Sequence, residues 1–236
     1  MDDQETKRIG ILVKPSFTFE FLDSERIEAG SHIVPIDVRK CASAQEFGDL
    51  HLIVEDLEFA QQCFTTAAQL GFPDEPNLLI KSLVLSGVVA YARPFMTGVR
   101  MKLAPEEFAG VWSAEGAELH TFLVEMRNRH VSHSVNAFER CDPIGIIVTE
   151  PAFQRQGEVT GIGVATLTTI GLGRARLEQI HSHIPRMLEL LQARIQAVKL
   201  RLHVEMKAQL ASEGKWDMMP IARFPELENI AKKRSR

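Results

Sequence analysis

Cysteine is scarce and odd in number. Cys41, Cys63 and Cys141 are the three in this 236-residue chain, and they lie far apart. Such spacing supplies neither a disulfide framework nor the paired ligands of a cysteine zinc site, so reduced, buried thiols are expected. The opening MDDQETKR is charged and has no apolar core, so no secretory leader is expected. The longest apolar run, residues 78–92, is too short to cross a bilayer and carries Lys81. A cytoplasmic protein without membrane contact is the expectation. Positive charge is not in excess either. At a formal net charge of −4 no global field attracts nucleic acid, so contact with RNA would need a local basic patch. The closing KKRSR (232–236) reads as a solvated tail, and no repeat or low-complexity tract is visible.

What remains is an ordinary globular composition, 45% hydrophobic and 25% charged, at a length that suits one decorated domain. Residues 1–42 hold short β-branched and aromatic stretches, IGILV, FTFEF and HIVPIDV, broken by Pro15, Gly30 and Pro35. They read as an N-terminal extension with short strands. A helical domain is expected over 43–212. Its first helix opens on Ser43 and Glu46, spaced as a capping box, and carries the stripe Leu50, Ile53, Val54, Leu57, Phe64, Ala67 until Gly71 and Pro73. The second starts near Pro76 and is apolar on nearly every side from Leu78 to Phe95, which places it mid-core. Pro94 should kink or end it, beside Tyr91 and Arg93.

A third helix, capped by Ser113 and carrying Leu119, Phe122, Leu123 and Met126, runs into EMRNRHVSHSVNAFE (125–139). IGIIVT (144–149) and GVATLTTI (163–170) then read as a β-hairpin inserted at about 143–171. Beyond Gly173 comes a long helix with Leu177, Ile184, Leu191 and Val198 on one heptad position and His181, Leu188, Ile195 and Leu202 on the other, interrupted by Pro185. On that seam His181 would be a polar residue that sets register. Residues 213–236, with Trp216 and Phe224 among prolines, form a C-terminal tail.

The densest polar cluster is RNRHVSH, Arg127 to His133. It has a plain reading. Helix C-terminal carbonyls carry partial negative charge, so Arg127, Arg129, His130 and His133 would be stabilising there, and His130 falls in line with the apolar stripe that ends at Met126. The functional reading rests on Arg127, Asn128 and His133. In a continuous helix Arg127 and His133 lie about 120° apart, so they converge only where the helix ends or a second subunit contributes. Once gathered, they suit phosphodiester cleavage. An imidazole moves protons near neutral pH, and a guanidinium fork stabilises charge on phosphate oxygens.

RNRHVSH resembles the R-x(4–6)-H signature of the HEPN superfamily, helical nucleotide-binding and ribonuclease domains, including a polar residue directly after the arginine. A helix ending YARPF followed by RN-x-H-x-x-H-S is also similar to bacterial proteins of this broad type. The resemblance spans about 43–139 and 174–212. It implies a mainly α fold: an up-and-down helical bundle, here with an inserted β-hairpin and a short N-terminal β-containing extension. It further implies a homodimer in which the motifs of two protomers meet and cut RNA without metal or cofactor, the 2′-hydroxyl attacking the adjacent phosphate. The implied roles are Arg127 for the transition-state phosphate, His133 for proton transfer and Asn128 for orientation, with His130, Arg129, Tyr91 and Arg93 in support. The alternative is a non-catalytic interaction or nucleotide-binding protein.

Other chemistry finds little footing. His130 and His133 share a helix face without a carboxylate at ligand spacing, and His181 and His183 point to different faces, so no metal is expected. GIGVAT and GLGR lack the strand, glycine loop and helix order that dinucleotide binding requires. Ser132 and Ser134 have no nucleophile elbow. Arg93, on a core helix, should reach solvent, pair with an acid such as Glu125, or face the motif cleft.

Overall fold

The computed structural model describes residues 37–71, 77–98, 100–131, 139–149, 157–168 and 172–214. The expected N-terminal strands, the C-terminal tail after 214 and residues 132–138 of the motif lie outside the described residues. The described chain is mainly helical with one two-stranded antiparallel sheet: α1 (Ala44–Gln69), α2 (Leu78–Ala92), α3 (Ala114–Met126), β1 (Glu139–Thr149), β2 (Gly157–Thr168) and α4 (Arg174–Glu213). It divides into two compact units, Glu46–Val198 and the residues up to Gln45 together with those from Lys199 onward.

In the larger unit, the apolar stripe of α1 is buried as its spacing predicts, from Leu50 through Phe64 to Ala67. The start of α2 differs from expectation. Its cap is Asn77, whose Oδ1 accepts from the N–H groups of Leu79 and Ile80 at 2.9 and 3.1 Å, satisfying two of the orphan donors of the first turn. The end follows the proline: α2 stops at Ala92 and Arg93–Phe95 form a 3-10 turn around Pro94. Leu78–Phe95 does reach the length and apolarity of a membrane span, with mean hydropathy 1.4 over 18 residues, but half of it is buried inside the chain. Ile80, Val84, Val88 and Tyr91 form one stripe that joins a core with residues of α1, α3 and α4, whereas Leu78 and Leu79 are exposed, so α2 is half-enclosed and does not sit mid-core as its composition suggests.

The approach of α2 to α1 is close at Gly87. A Cβ there would stand 2.9 Å from Phe64 Cζ and 3.2 Å from Cys63 Cβ, and Phe64 is itself fully buried. Across the unit, Arg194 of α4 ties Glu46 of α1 (3.0 Å) to Glu107 (2.5 Å) in the 3-10 turn Pro105–Phe108.

α4 is one helix of 40 residues with Pro185 inside it. Leu177, Ile184, Leu191 and Val198 are buried as expected. The second line is not the predicted one near its start: Ile180 and Met187 are buried, whereas His181 is exposed and Leu188 only partly covered. A straight helix drifts against a seven-residue repeat, so the buried line shifts by one position before Ile195. His181 therefore sets no register on a seam.

In the smaller unit, Ser43 does more than begin α1. Its N–H and Oγ both donate to Glu205, at 2.9 and 2.7 Å, holding that carboxyl below its usual range. Cys41 is buried, as is Cys63 of the larger unit. Cys141 corrects the expectation of buried thiols: it is exposed, on β1 of the two-stranded hairpin. Ile162, Val164 and Ile144 of the hairpin are exposed at 87%, 63% and 43%. The hairpin is continuous from Glu139↔Thr168 to Thr149↔Gly157, with a register shift at Ile146/Ile147.

Replacing Gly87 by Ala should gain about 1 kcal/mol of helix propensity but lose about 1–3 kcal/mol to overpacking against Phe64. A net fall in melting temperature is expected for Gly87→Ala, and recovery in the double variant with Phe64→Leu.

Candidate functional site

The motif begins where α3 changes its winding. Ser113 Oγ accepts from Gly116 N–H at 3.2 Å to start the helix, and Arg127–Val131 continue it as one π-helical turn. The N–H of Arg127 is shared between the carbonyls of Leu123 and Val124. Such a turn, with its i to i+5 spacing, redirects the side chains that follow an otherwise regular helix.

The structure separates the cluster's members. Arg129 is exposed and pairs with Glu125 one turn back, which fits the plain reading of a solvated helix end. Arg127 is half-buried, and its Nη1 donates to Asn128 Oδ1 at 3.0 Å. No carboxylate among the described residues pairs with it. The imidazole of His130 and all of His133, with Ser132 and Ser134, lie outside the described residues.

Arg127 lines a cleft of about 370 Å³ that also contains Arg93 and Arg100. Arg93 does not meet Glu125. Its Nη1 donates to Asp56 Oδ1 at 2.6 Å, while Arg100 Nη1 donates to Asp56 Oδ2 at 3.0 Å. Asp56 comes from α1, Arg93 from the proline turn after α2, Arg100 from the following loop and Arg127 from the end of α3. Three guanidinium groups face one carboxylate, so the cleft holds two positive charges in excess. Ile53, Val89, Met96 and Met101 supply apolar wall. It is a local excess of positive charge in a chain whose formal net charge is −4, and chemically it can hold an oxyanion such as phosphate. Among the described lining residues Asp56 is the lone acid or base, and two arginines occupy it.

Tyr91, expected in support of the motif, is elsewhere. It is fully buried, and its hydroxyl lies 3.0 Å from His120 Nδ1 and 2.8 Å from His183 Nε2. Trp112 stacks on both imidazoles, at 4.8 and 5.0 Å between ring centres. The indole Nε1 is buried without a hydrogen-bond partner among the described residues. A phenol has one proton, so Tyr91 donates to one imidazole and accepts N–H from the other. Beside His183 is a small cavity of about 70 Å³, lined also by Trp112, Gly116, Gln179, Ser182 and Arg186. Gly116 is needed there, since a Cβ would stand 3.1 Å from His183 Nδ1.

Burial pushes the Tyr91 phenol well above its usual range. It lowers His120 to about 4, with Glu106 opposing, and lowers His183 to about 4, reinforced by the charges of His120 and Arg186. This trio escaped sequence reasoning, although His120 and His183 sit within apolar stripes. His183 follows Ile180 by three and precedes Met187 by four, and His120 precedes Leu123 by three. Among the described residues no group of three or more His, Cys, Asp or Glu side chains is placed to hold a metal.

Two outcomes follow from the trio. In the unfolded chain both histidines take up a proton near 6.5, whereas in the fold they do so near 4. Between those values the unfolded state binds more protons, so stability is full above pH 6.5 and falls as pH drops toward 4. The loss is on the order of 3 kcal/mol per imidazole for independent titration, and thermal melts from pH 7.5 to 4.5 should show it. Tyr91→Phe leaves two buried ring nitrogens without their partner and should cost about 1–3 kcal/mol at pH 7.5 in urea unfolding.

No family model, no curated protein and no solved structure matches this chain.

Proposed function

We propose that this chain is a metal-independent endoribonuclease of HEPN type, working as a cytoplasmic homodimer. The observation that carries the reading is the cleft in which Arg127, the arginine of the R-x(4–6)-H motif, joins Arg93 and Arg100 around a single occupied carboxylate. In this reading the guanidinium of Arg127, steadied by Asn128, holds the scissile phosphate and stabilises the charge that grows on its oxygens. His133, which the resemblance assigns to proton transfer, serves the 2′-hydroxyl as it attacks phosphorus or the 5′-oxygen as it leaves. The products are a 2′,3′-cyclic phosphate and a 5′-hydroxyl. In this reading a second protomer brings the imidazole and guanidinium together, as the resemblance implies.

A second reading is a phosphate-binding protein that does not cut. It is favoured by one feature: among the described lining residues the cleft has no unoccupied acid or base, because Asp56 already accepts from two arginines.

RNA cleavage in EDTA separates the two. The wild-type protein should cut, His133→Ala should lose cleavage while RNA affinity stays within a few-fold, and Arg127→Ala should lose affinity and slow cleavage by about 10²–10³. Equal cleavage by all three removes the nuclease reading. RNA bound but uncut by the wild type supports the second. Sedimentation at micromolar concentration should give twice the chain mass.

A further inference from the structure

The arginine cleft carries more information than a preference for phosphate. Its charge is asymmetric by two units, and its single carboxylate is shared between two arginines through one nitrogen of each. A guanidinium has five N–H donors. Asp56 thus consumes few of those on Arg93 and Arg100, and none on Arg127, so the three forks can meet a ligand rich in unbridged oxygens.

A phosphodiester within a polynucleotide carries one negative charge and two unbridged oxygens. A terminal phosphomonoester carries close to two charges at neutral pH and three strong acceptor oxygens. The excess of two cations matches the second ligand and leaves the first with one guanidinium uncompensated. The space also exceeds what a phosphate needs. About 370 Å³ lies within the range of small-molecule clefts, and Ile53, Val89, Met96 and Met101 offer an apolar wall to a sugar or base.

We infer that the cleft formed by Asp56, Arg93, Arg100 and Arg127 prefers a phosphomonoester at the end of an RNA strand, which competes for Arg127 with the scissile diester. The inference rests on the reading that this cleft takes nucleic-acid phosphate. Asp56 is then a positioning residue: it keeps Arg93 and Arg100 from repelling each other and presents both to the same dianion.

The test uses the full-length chain and short 2′-O-methyl RNA oligomers, which lack the attacking hydroxyl and cannot be cut. One sequence is prepared with a 5′-phosphate, a 3′-phosphate, hydroxyls at both ends, or a terminal phosphate capped as its methyl ester. Titration calorimetry should show one phosphate-ended form binding at least ten-fold more tightly than the hydroxyl-ended form, and the better end identifies the strand polarity. The methyl ester, similar in shape but with one charge fewer, should bind like the hydroxyl-ended oligomer. Arg100→Gln, or the more exposed Arg93→Gln if the first does not fold, should abolish the ten-fold difference.

Equal affinity for phosphate-ended and hydroxyl-ended oligomers overturns the inference, as does tight binding of the methyl ester, and either leaves RNA cleavage untouched. Preferential binding of a phosphate end by a chain that cuts no RNA ends the nuclease reading and leaves this one standing.

Discussion

The buried face of α2 is the surface on which the larger unit is assembled, although Leu78 and Leu79 of the same helix stay exposed. That face meets α1 at Gly87, α3 at Tyr91 and His120, and α4 at Tyr91 and His183. Because Pro94 cannot continue an α-helix, the chain turns at Arg93–Phe95. Tyr91 is left inside while Arg93, two residues on, reaches the surface beside Asp56. Partial enclosure and termination of one helix therefore place two polar clusters of opposite character at the same end of it, one dry and one wet.

The two clusters obey different energetics. In the dry one, each polar atom must find a partner or incur a desolvation cost, so the hydroxyl and two imidazoles constrain three helices to one arrangement. In the wet one, the arginines are 38% and 54% exposed where they meet Asp56, and water screens their attraction. Such pairs add little to stability. Their geometric effect is larger, because one carboxylate fixes where two cations stand. The proposed function thus rests on the cluster that contributes less to the fold, a division common where a site must accept and release a ligand.

Much of the architecture was legible because it is local. The α1 stripe, the Ser113 cap, the stop at Pro94 and the β-branched hairpin each follow from residues a few positions apart. The failures share a cause as well. Pro76 drew attention from Asn77, whose carboxamide is the cap, and the heptad reading placed His181 where drift brings Ile180. Asp56 lies in α1, and no local pattern links it to Arg93, 37 residues away. The pairing of Tyr91 with His120 and His183 spans 29 and 92 residues. Periodicity identifies which residues turn inward and is silent on which inward polar groups meet. Arg127 of the motif and Arg93 in its support were legible as chemistry, whereas Asp56 and Arg100 became visible only through the packing of α1 against the turn after α2.

The buried phenol has one further property. Its proton can sit toward His183, with His120 then carrying hydrogen on Nδ1, or toward His120, with His183 then carrying hydrogen on Nε2. Both patterns make two hydrogen bonds with neutral rings, and passing from the first to the second also requires that one proton leave His183 Nδ1 and another reach His120 Nε2. In the first the edge of His183 beside Gly116 is a donor, and in the second it is an acceptor. The hydrogen-bonding character of that edge is therefore coupled to the direction of the phenol proton, so a hydroxyl or amide lodged in the small cavity would select one tautomer of both imidazoles.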